Sequence, residues 1–279
     1  MQNNEIGKII CINKSIHKVL LSNNTIINCF TRGKLRKDGI VPVVGDNCIV
    51  NISTGTIESI EQRKNYLERP LIANIDKLLI VMSTSIPAFS SYLIDKFLVI
   101  AYSNNIEPII VITKTDMITM KEKINIRKHV NYYKKIGIKV YYNKNITSLK
   151  KEFKNSCIAL CGQTGAGKSS LLNKIDASLD LKTGEVSDAL GRGKHTTRLV
   201  ELLEINGGLI ADTPGFSSLS LNVKRESIRR FYKDFNKKCE YRSCVHKNED
   251  GCAIKELVKK KKIPSWRYNN YIKLLEEGK

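Results

Sequence analysis

Between Gly7 and Arg63 apolar and polar residues alternate in short runs, GKIICI, HKVLLS, TIINCF, DNCIVNI and GTIESI, broken by Asn, Gly and Pro. A period of two predicts half-buried strands, and the breaks predict turns between them. Five such strands fit a small barrel of the oligonucleotide-binding (OB) kind, although an SH3-like closure would produce the same pattern. From about Arg69 the chain changes character. Apolar runs such as DKLLIVMS, PIIVITK, KVYYN and CIALCG alternate with amphipathic stretches, SYLIDKFLVIAYSNN and a segment near residues 121 to 136. Buried strands alternating with helices predict a doubly wound α/β domain. It continues through LVELLEI and GLIADTP, joined by the hairpin signal Asn206-Gly207-Gly208. After Leu221 come two or three short helices around a Cys/His cluster. The expected domains are therefore residues 1–68 (OB-like barrel, RNA-binding), 69–222 (α/β) and 223–279 (basic, mostly helical, metal-binding).

Inside the α/β pattern, Gly162-Gln163-Thr164-Gly165-Ala166-Gly167-Lys168-Ser169 fits G-x-x-x-x-G-K-[ST] between the strand CIAL and the helical SSLLNKI. Glycines let backbone N–H groups approach phosphates, and the following helix directs its positive end at them. Lys168 would reach the β and γ phosphates and Ser169 would bind magnesium, with Ser170 completing the loop. Downstream, Asp212-Thr213-Pro214-Gly215 follows the strand GLIA, where Asp212 can hold the magnesium shell and a glycine N–H can sense the γ-phosphate. Together they predict a nucleoside triphosphatase.

Thr113-Lys114-Thr115-Asp116 closes the strand PIIVI and resembles the Asn-Lys-x-Asp segment with which GTPases read the base. A carboxylate at Asp116 can accept from guanine N1–H and its exocyclic amine, whereas adenine offers neither donor. Thr113 stands where Asn is usual, and its hydroxyl is the shorter group. This segment precedes the phosphate loop, the reverse of an ordinary small GTPase, so the domain is read as circularly permuted. The switch Asp212 to Phe216 then runs directly into the C-terminal segment. Phe216 occupies the place where many GTPases carry a water-orienting Gln. His195, in Gly191-Arg192-Gly193-Lys194-His195-Thr196-Thr197, is the candidate replacement, and an imidazole so placed contributes about two to four orders of magnitude in rate. Thr196 or Thr197 could cap the magnesium.

Cys239, Cys244, His246 and Cys252 form C-x4-C-x-H-x5-C. Three thiolates and one imidazole make a closed tetrahedral set, which suits one structural zinc better than iron. The other five of the eight cysteines, Cys11, Cys29, Cys48, Cys157 and Cys161, are scattered through apolar runs and are read as small buried hydrophobes. That is no secreted disulfide framework.

Charge adds a partner class. The 279 residues carry 47 Lys and Arg against 27 Asp and Glu, a formal +20, which attracts polyanions. Residues 223–279 hold 17 basic and 8 acidic side chains. Among them Lys237, Lys238, Arg242, Lys247 and Lys259 to Lys262 are interleaved with Trp266, Arg267, Tyr268 and Tyr271, a mixture suited to RNA backbone and exposed bases. A solvated lysine face around packing aromatics is the competing reading, and Trp266 and Tyr271 are the aromatics expected in the core. The opening MQNNEIGKIICINKS has no apolar leader and no apolar run spans a bilayer, so a cytoplasmic protein is expected.

With Thr113 to Asp116, Gly162 to Ser170, the G-x-H-T-T segment, Asp212 to Gly215 and the four metal ligands in view, the chain resembles the ribosome small subunit-dependent GTPases along nearly its whole length. The resemblance implies barrel, permuted GTPase and zinc domain in that order. It also implies low intrinsic hydrolysis of GTP to GDP, stimulated by the small subunit and its rRNA, then release, late in subunit maturation near the decoding region. Relative to that family the chain is expected to lack a long basic N-terminal extension, and Tyr142 to Ile146 is short where a second guanine contact belongs. The chain is expected to act as a monomer, with no membrane. A GTP-binding RNA module with little turnover is the alternative that Phe216 favours.

Overall fold

The computed structural model describes residues 4–278 apart from 34, 36–38, 69, 182–199 and 213–219, and for Asp212 the backbone alone. Strands β1 (Asn4–Asn13), β2 (Ile16–Leu21), β3 (Ile26–Thr31), β4 (Asn47–Asn51) and β5 (Thr56–Ile60) form the N-terminal unit. β1, β2 and β3 follow as an antiparallel meander, β3 pairs in parallel with β5, β5 with β4, and β4 returns to β1. The parallel β3–β5 contact and the β1–β4 closure make a Greek-key barrel, which resolves the earlier ambiguity in favour of the OB arrangement. Alternate residues point inward, placing Ile9, Val19, Cys29, Cys48, Val50 and Ile57 in one core. Cys29 and Cys48 are fully buried there, and burial pushes the Cys48 thiol up to about 12. Cys11, Cys157 and Cys161 are buried as well, as expected of small hydrophobes.

A short hairpin of β6 (Tyr66–Glu68) and β7 (Leu71–Ala73) spans the expected boundary at residues 68 and 69. It is held to the barrel by a bridge from Ile72 to Val44. The α/β unit then comprises β8 (Lys77–Ser83), α1 (Ser91–Ser103), β9 (Glu107–Thr113), α2 (Met120–Lys135), β10 (Lys139–Tyr142), α3 (Ile146–Lys150), β11 (Cys157–Cys161), α4 (Lys168–Ile175), β12 (Glu201–Ile205) and β13 (Gly208–Asp212). The sheet order is β10-β9-β8-β11-β13-β12, all parallel except the β12–β13 hairpin. Asn206 and Gly207 turn that hairpin with positive φ at both positions, as the Asn-Gly-Gly signal predicted.

The central strands are buried on both faces, which is why they read as unbroken apolar runs. Leu78, Ile80, Met82, Ile110 and Ile112 face one core with α1 and α2; Leu79, Val81, Ile109, Val111 and Ile158 face the other with α4. Capping fixes the helix starts. Ser90 accepts from Leu93 N–H at 3.2 Å. Thr119 and Glu122 form a reciprocal capping box, with Thr119 N–H donating to Glu122 at 2.8 Å. β1 also pairs with β12 through Cys11 and Glu201, so barrel and α/β sheet are continuous.

The C-terminal unit contains α5 (Ile228–Phe231), α6 (Ala253–Lys259) and α7 (Ser265–Glu277). α7 lies against α1 and shares the first α/β core through Tyr271, Leu274 and Leu275. Among the described residues no helix is long and apolar enough to cross a membrane.

Candidate functional site

The C-terminal ends of the parallel strands gather the nucleotide motifs, the edge at which open α/β sheets bind ligands. β11 leads into Gly162, where a Cβ would lie 2.1 Å from the Val81 carbonyl oxygen, so only glycine passes the neighbouring strand. Gly165 and Gly167 have φ of +77° and +90°, and Gly167 is the left-handed cap from which α4 starts. Gln163 is half-buried, Thr164 and Gly165 are exposed, and Ala166 is buried. Lys168, the first residue of α4, is buried and donates at 2.9 Å to the carbonyls of both Gly162 and Gln163. Burial pushes its pKa down, and no carboxylate among the described residues pairs with it. A buried cation at a helix start, fenced by a glycine loop, fits a phosphate. Ser169 is buried beside it and Ser170 is exposed.

Thr113 to Asp116, the candidate base-reading segment, meets this loop directly. The Thr113 hydroxyl donates to the Ala166 carbonyl at 2.6 Å. Thr113 therefore ties the two motifs together, and the short hydroxyl suffices because the loop backbone lies within its reach. Lys114 has φ of +57°, and a turn from Lys114 to Met117 closes with a 3.1 Å bond, leaving Thr115 half-buried and Asp116 exposed at the edge. Composition and motif reading missed two supports. The buried Thr84 donates its hydroxyl to the Lys114 carbonyl at 2.7 Å and its N–H to the Thr113 carbonyl at 3.2 Å. The Lys114 ammonium donates to the Ile86 carbonyl. Thr84 lies 30 residues before Lys114, so no local spacing marks it. In the segment Tyr142 to Ile146, Asn143 donates its N–H to Ile112 at 2.9 Å, and its Oδ1 is buried without a partner among the described residues.

His195, Thr196, Thr197, Thr213, Pro214, Gly215 and Phe216 lie outside the described residues, as does the side chain of Asp212. The backbone of β13 delivers Asp212 to the same edge as Gly162, because β13 pairs in parallel with β11.

The four C-terminal ligand candidates converge. His246 Nδ1 stands 3.4, 3.3 and 3.4 Å from the sulfurs of Cys239, Cys244 and Cys252, and the Cys239 and Cys252 sulfurs are 3.8 Å apart. A tetrahedral zinc with bonds of about 2.3 Å to sulfur and 2.0–2.1 Å to nitrogen requires edges of about 3.8 Å and 3.6 Å. The cluster thus has the dimensions to hold one zinc ion. Tyr268 donates to the His246 carbonyl and Tyr271 to the Val245 carbonyl, each at 2.7 Å, and Arg229 donates to the Cys244 carbonyl at 2.6 Å. These bonds fix the ligand loop on α7 and α5.

They also correct one expectation. Arg267 and Tyr268 do not face outward for RNA, whereas Tyr271 packs in the core, as expected of it. Tyr268 and Tyr271 brace the metal loop, and Arg267 is buried, paired with Asp95 and, at 2.8 Å, with Asp234. The Trp266 ring packs against His129 on α2, with centroids 4.4 Å apart and the planes tilted by 43°. Lys237, Lys238, Arg242 and Lys259 to Lys262 remain exposed.

Residues 60–222 match the family model described as RsgA GTPase. A Geobacillus protein named small ribosomal subunit biogenesis GTPase RsgA is 42% identical over 98% of this chain and 97% of its own length. A Halalkalibacterium halodurans protein of the same name is 42% identical over 91% and 90%. Among solved structures, YjeQ from Thermotoga maritima superposes with TM-score 0.87 at 32% identity, covering 98% of both chains. YloQ, described as a circularly permuted GTPase, gives 0.83 at 33%, covering 99% of this chain and 95% of its own. An OB barrel, a GTPase sheet whose base-reading strand precedes its phosphate loop, and a Cys3His cluster, in a chain that these proteins match almost end to end, establish that it belongs to the RsgA GTPase family.

Proposed function

We propose that this protein is a cytoplasmic, monomeric GTPase of small ribosomal subunit biogenesis, which hydrolyses GTP to GDP and phosphate when docked on the subunit late in maturation and then leaves it. The observation that carries this reading is the Thr113–Ala166 hydrogen bond, which joins guanine-reading and phosphate-holding segments into one site within a chain related end to end to proteins named for that process. In this assignment the loop Gly162 to Gly167 donates N–H groups to the phosphates. Lys168 exchanges its carbonyl partners for the β and γ phosphates, and Asp116 accepts from guanine. Asn143 supplies the second base contact. Ser169 and Asp212 would hold magnesium, which would supply positive charge against that developing on the phosphates. Thr196, Thr197 and Thr213 to Gly215 form the switches, and His195 orients the attacking water.

One zinc ion at Cys239, Cys244, His246 and Cys252 is structural, since four protein ligands leave no open position. The barrel and the exposed lysines of residues 223–279 meet rRNA. Co-sedimentation with purified small subunits tests the cycle: the protein should pellet with a non-hydrolysable GTP analogue and stay in the supernatant with GDP. Equal retention in both states contradicts it. Phe216, which cannot orient water, favours a second reading, a GTP-binding RNA module with little turnover, and this predicts subunit binding without accelerated hydrolysis.

A further inference from the structure

Opposite the nucleotide edge, at the seam between the α/β and C-terminal units, lies a cleft of about 480 Å³. One wall comes from the end of α1 and the start of β9, with Tyr102 and Ile106. Another comes from the α2–β10 turn, with Ile138, and the third from the end of α5, with Arg230, Phe231 and Lys233. β9 runs from Glu107 at this cleft to Thr113 at the base-reading segment, a separation of about 20 Å at ~3.3 Å per residue. The cleft is therefore separate from the GTP site.

Its lining combines a floor of aromatic and aliphatic groups with a cationic rim. Tyr102 and Phe231 are half-buried, and Ile106 and Ile138 are buried. Lys233 holds its ammonium 4.0 Å from the centre of the Tyr102 ring, a cation–π contact that seats the charge at the mouth. The acid at the rim, Glu107, is already paired with Lys139 at 3.0 Å. Arg230 and Lys233 have no carboxylate partner among the described residues. The volume is that of a small-molecule pocket, and it sits at a domain seam, where such pockets concentrate.

We propose that this cleft receives an unstacked nucleotide of a single-stranded RNA segment, its base against Tyr102 and Phe231 and its phosphates on Arg230 and Lys233. Such stacking is sequence-tolerant, and phosphate contact makes binding salt-dependent. The proposal rests on RNA as the partner and adds where a strand crosses from the GTPase unit to the metal unit.

The test uses the full-length, GDP-bound protein and a fluorescein-labelled decauridylate followed by anisotropy. R230Q/K233Q is compared with K151Q/K154Q, which removes the same charge from exposed positions of the α/β unit. The cleft pair should weaken binding about tenfold and the control pair less than about threefold, and the log–log salt slope should fall by about 1.4 for two lost phosphate contacts. A decauridylate substituted with 4-thiouridine should cross-link wild-type protein at the peptides containing Tyr102 or Phe231, a readout independent of any variant's folding. Equal losses in the two pairs, cross-links confined to other peptides, or uridine monophosphate binding as tightly as the decamer would overturn the proposal. Subunit-stimulated hydrolysis in wild-type protein, measured separately, tells that failure apart from failure of the ribosomal reading.

Discussion

Thr113 is where a single side chain decides how the site is assembled. Its hydroxyl spans the gap to the phosphate loop, so T113V, which keeps shape and removes the donor, should leave the Ala166 carbonyl without it. The expected cost is about 1 kcal/mol, or roughly fivefold in GDP affinity, read by calorimetry; unchanged affinity would show that the tie is incidental. Glu152 provides a residue-scale test of stability. Burial alone would raise its pKa, but hydrogen bonds from Lys77, Tyr141 and Lys139 outweigh it and hold the carboxyl down at about 2. Because the folded-state value is depressed, the stabilisation is present in full above the ordinary carboxylate range and disappears as pH falls toward 2. It amounts to about 3 kcal/mol. The melting-temperature gap between wild type and E152Q should therefore be wide at pH 7 and close by about pH 2. The phosphate loop and the metal ligands were legible in the sequence because each is built from neighbours in the chain. Thr84 and Glu152 were not, because their partners lie on other strands and nothing local distinguishes them.

At the scale of elements, α1 connects the two ends of the molecule. The residues before it, Thr84 and Ile86, are hydrogen-bonded to Lys114 in the candidate base-reading segment. Asp95 on α1 takes the buried Arg267 of α7, together with Asn270 at 2.8 Å and Tyr133 at 2.6 Å. Removing one partner of a buried ion pair costs about 3–5 kcal/mol. R267A should accordingly lower the melting temperature sharply, whereas R267M, which keeps most of the packing volume, should lose less. α7 also carries Tyr268 and Tyr271, which hold the metal loop, so stripping zinc with a chelator should loosen α7 and α6. Hydrogen exchange should rise across residues 253–277 and little across β8 and β9; uniform exchange would argue against a structural metal. The strands were legible from their period, but the choice of an OB barrel was not, since β3 and β5 meet only after the chain has passed through β4. The role of Arg267 was likewise hidden, because a basic residue among aromatics looks the same in sequence whether it faces RNA or a buried aspartate 172 positions away.

For the whole molecule, permutation has a mechanical consequence. The sheet's last strand, β13, ends at Asp212, and the chain then continues toward α5 and the metal unit. α7 of that unit is anchored back on α1 through Arg267 and Asp95. The proposed cycle requires nucleotide state to reach the C-terminal unit, and α1 offers a route among the described residues, while the barrel joins the sheet through β1 and β12. On the proposed function, a subunit that engages the barrel and the C-terminal unit together would hold the nucleotide edge between them, and hydrolysis should then be slow alone and fast on the subunit. The direct measurement is steady-state GTP hydrolysis by the purified protein, alone and with small ribosomal subunits, for wild type and H195A. Strong stimulation of wild type that is lost in H195A is the predicted result; hydrolysis unchanged by subunits would contradict a subunit-triggered GTPase.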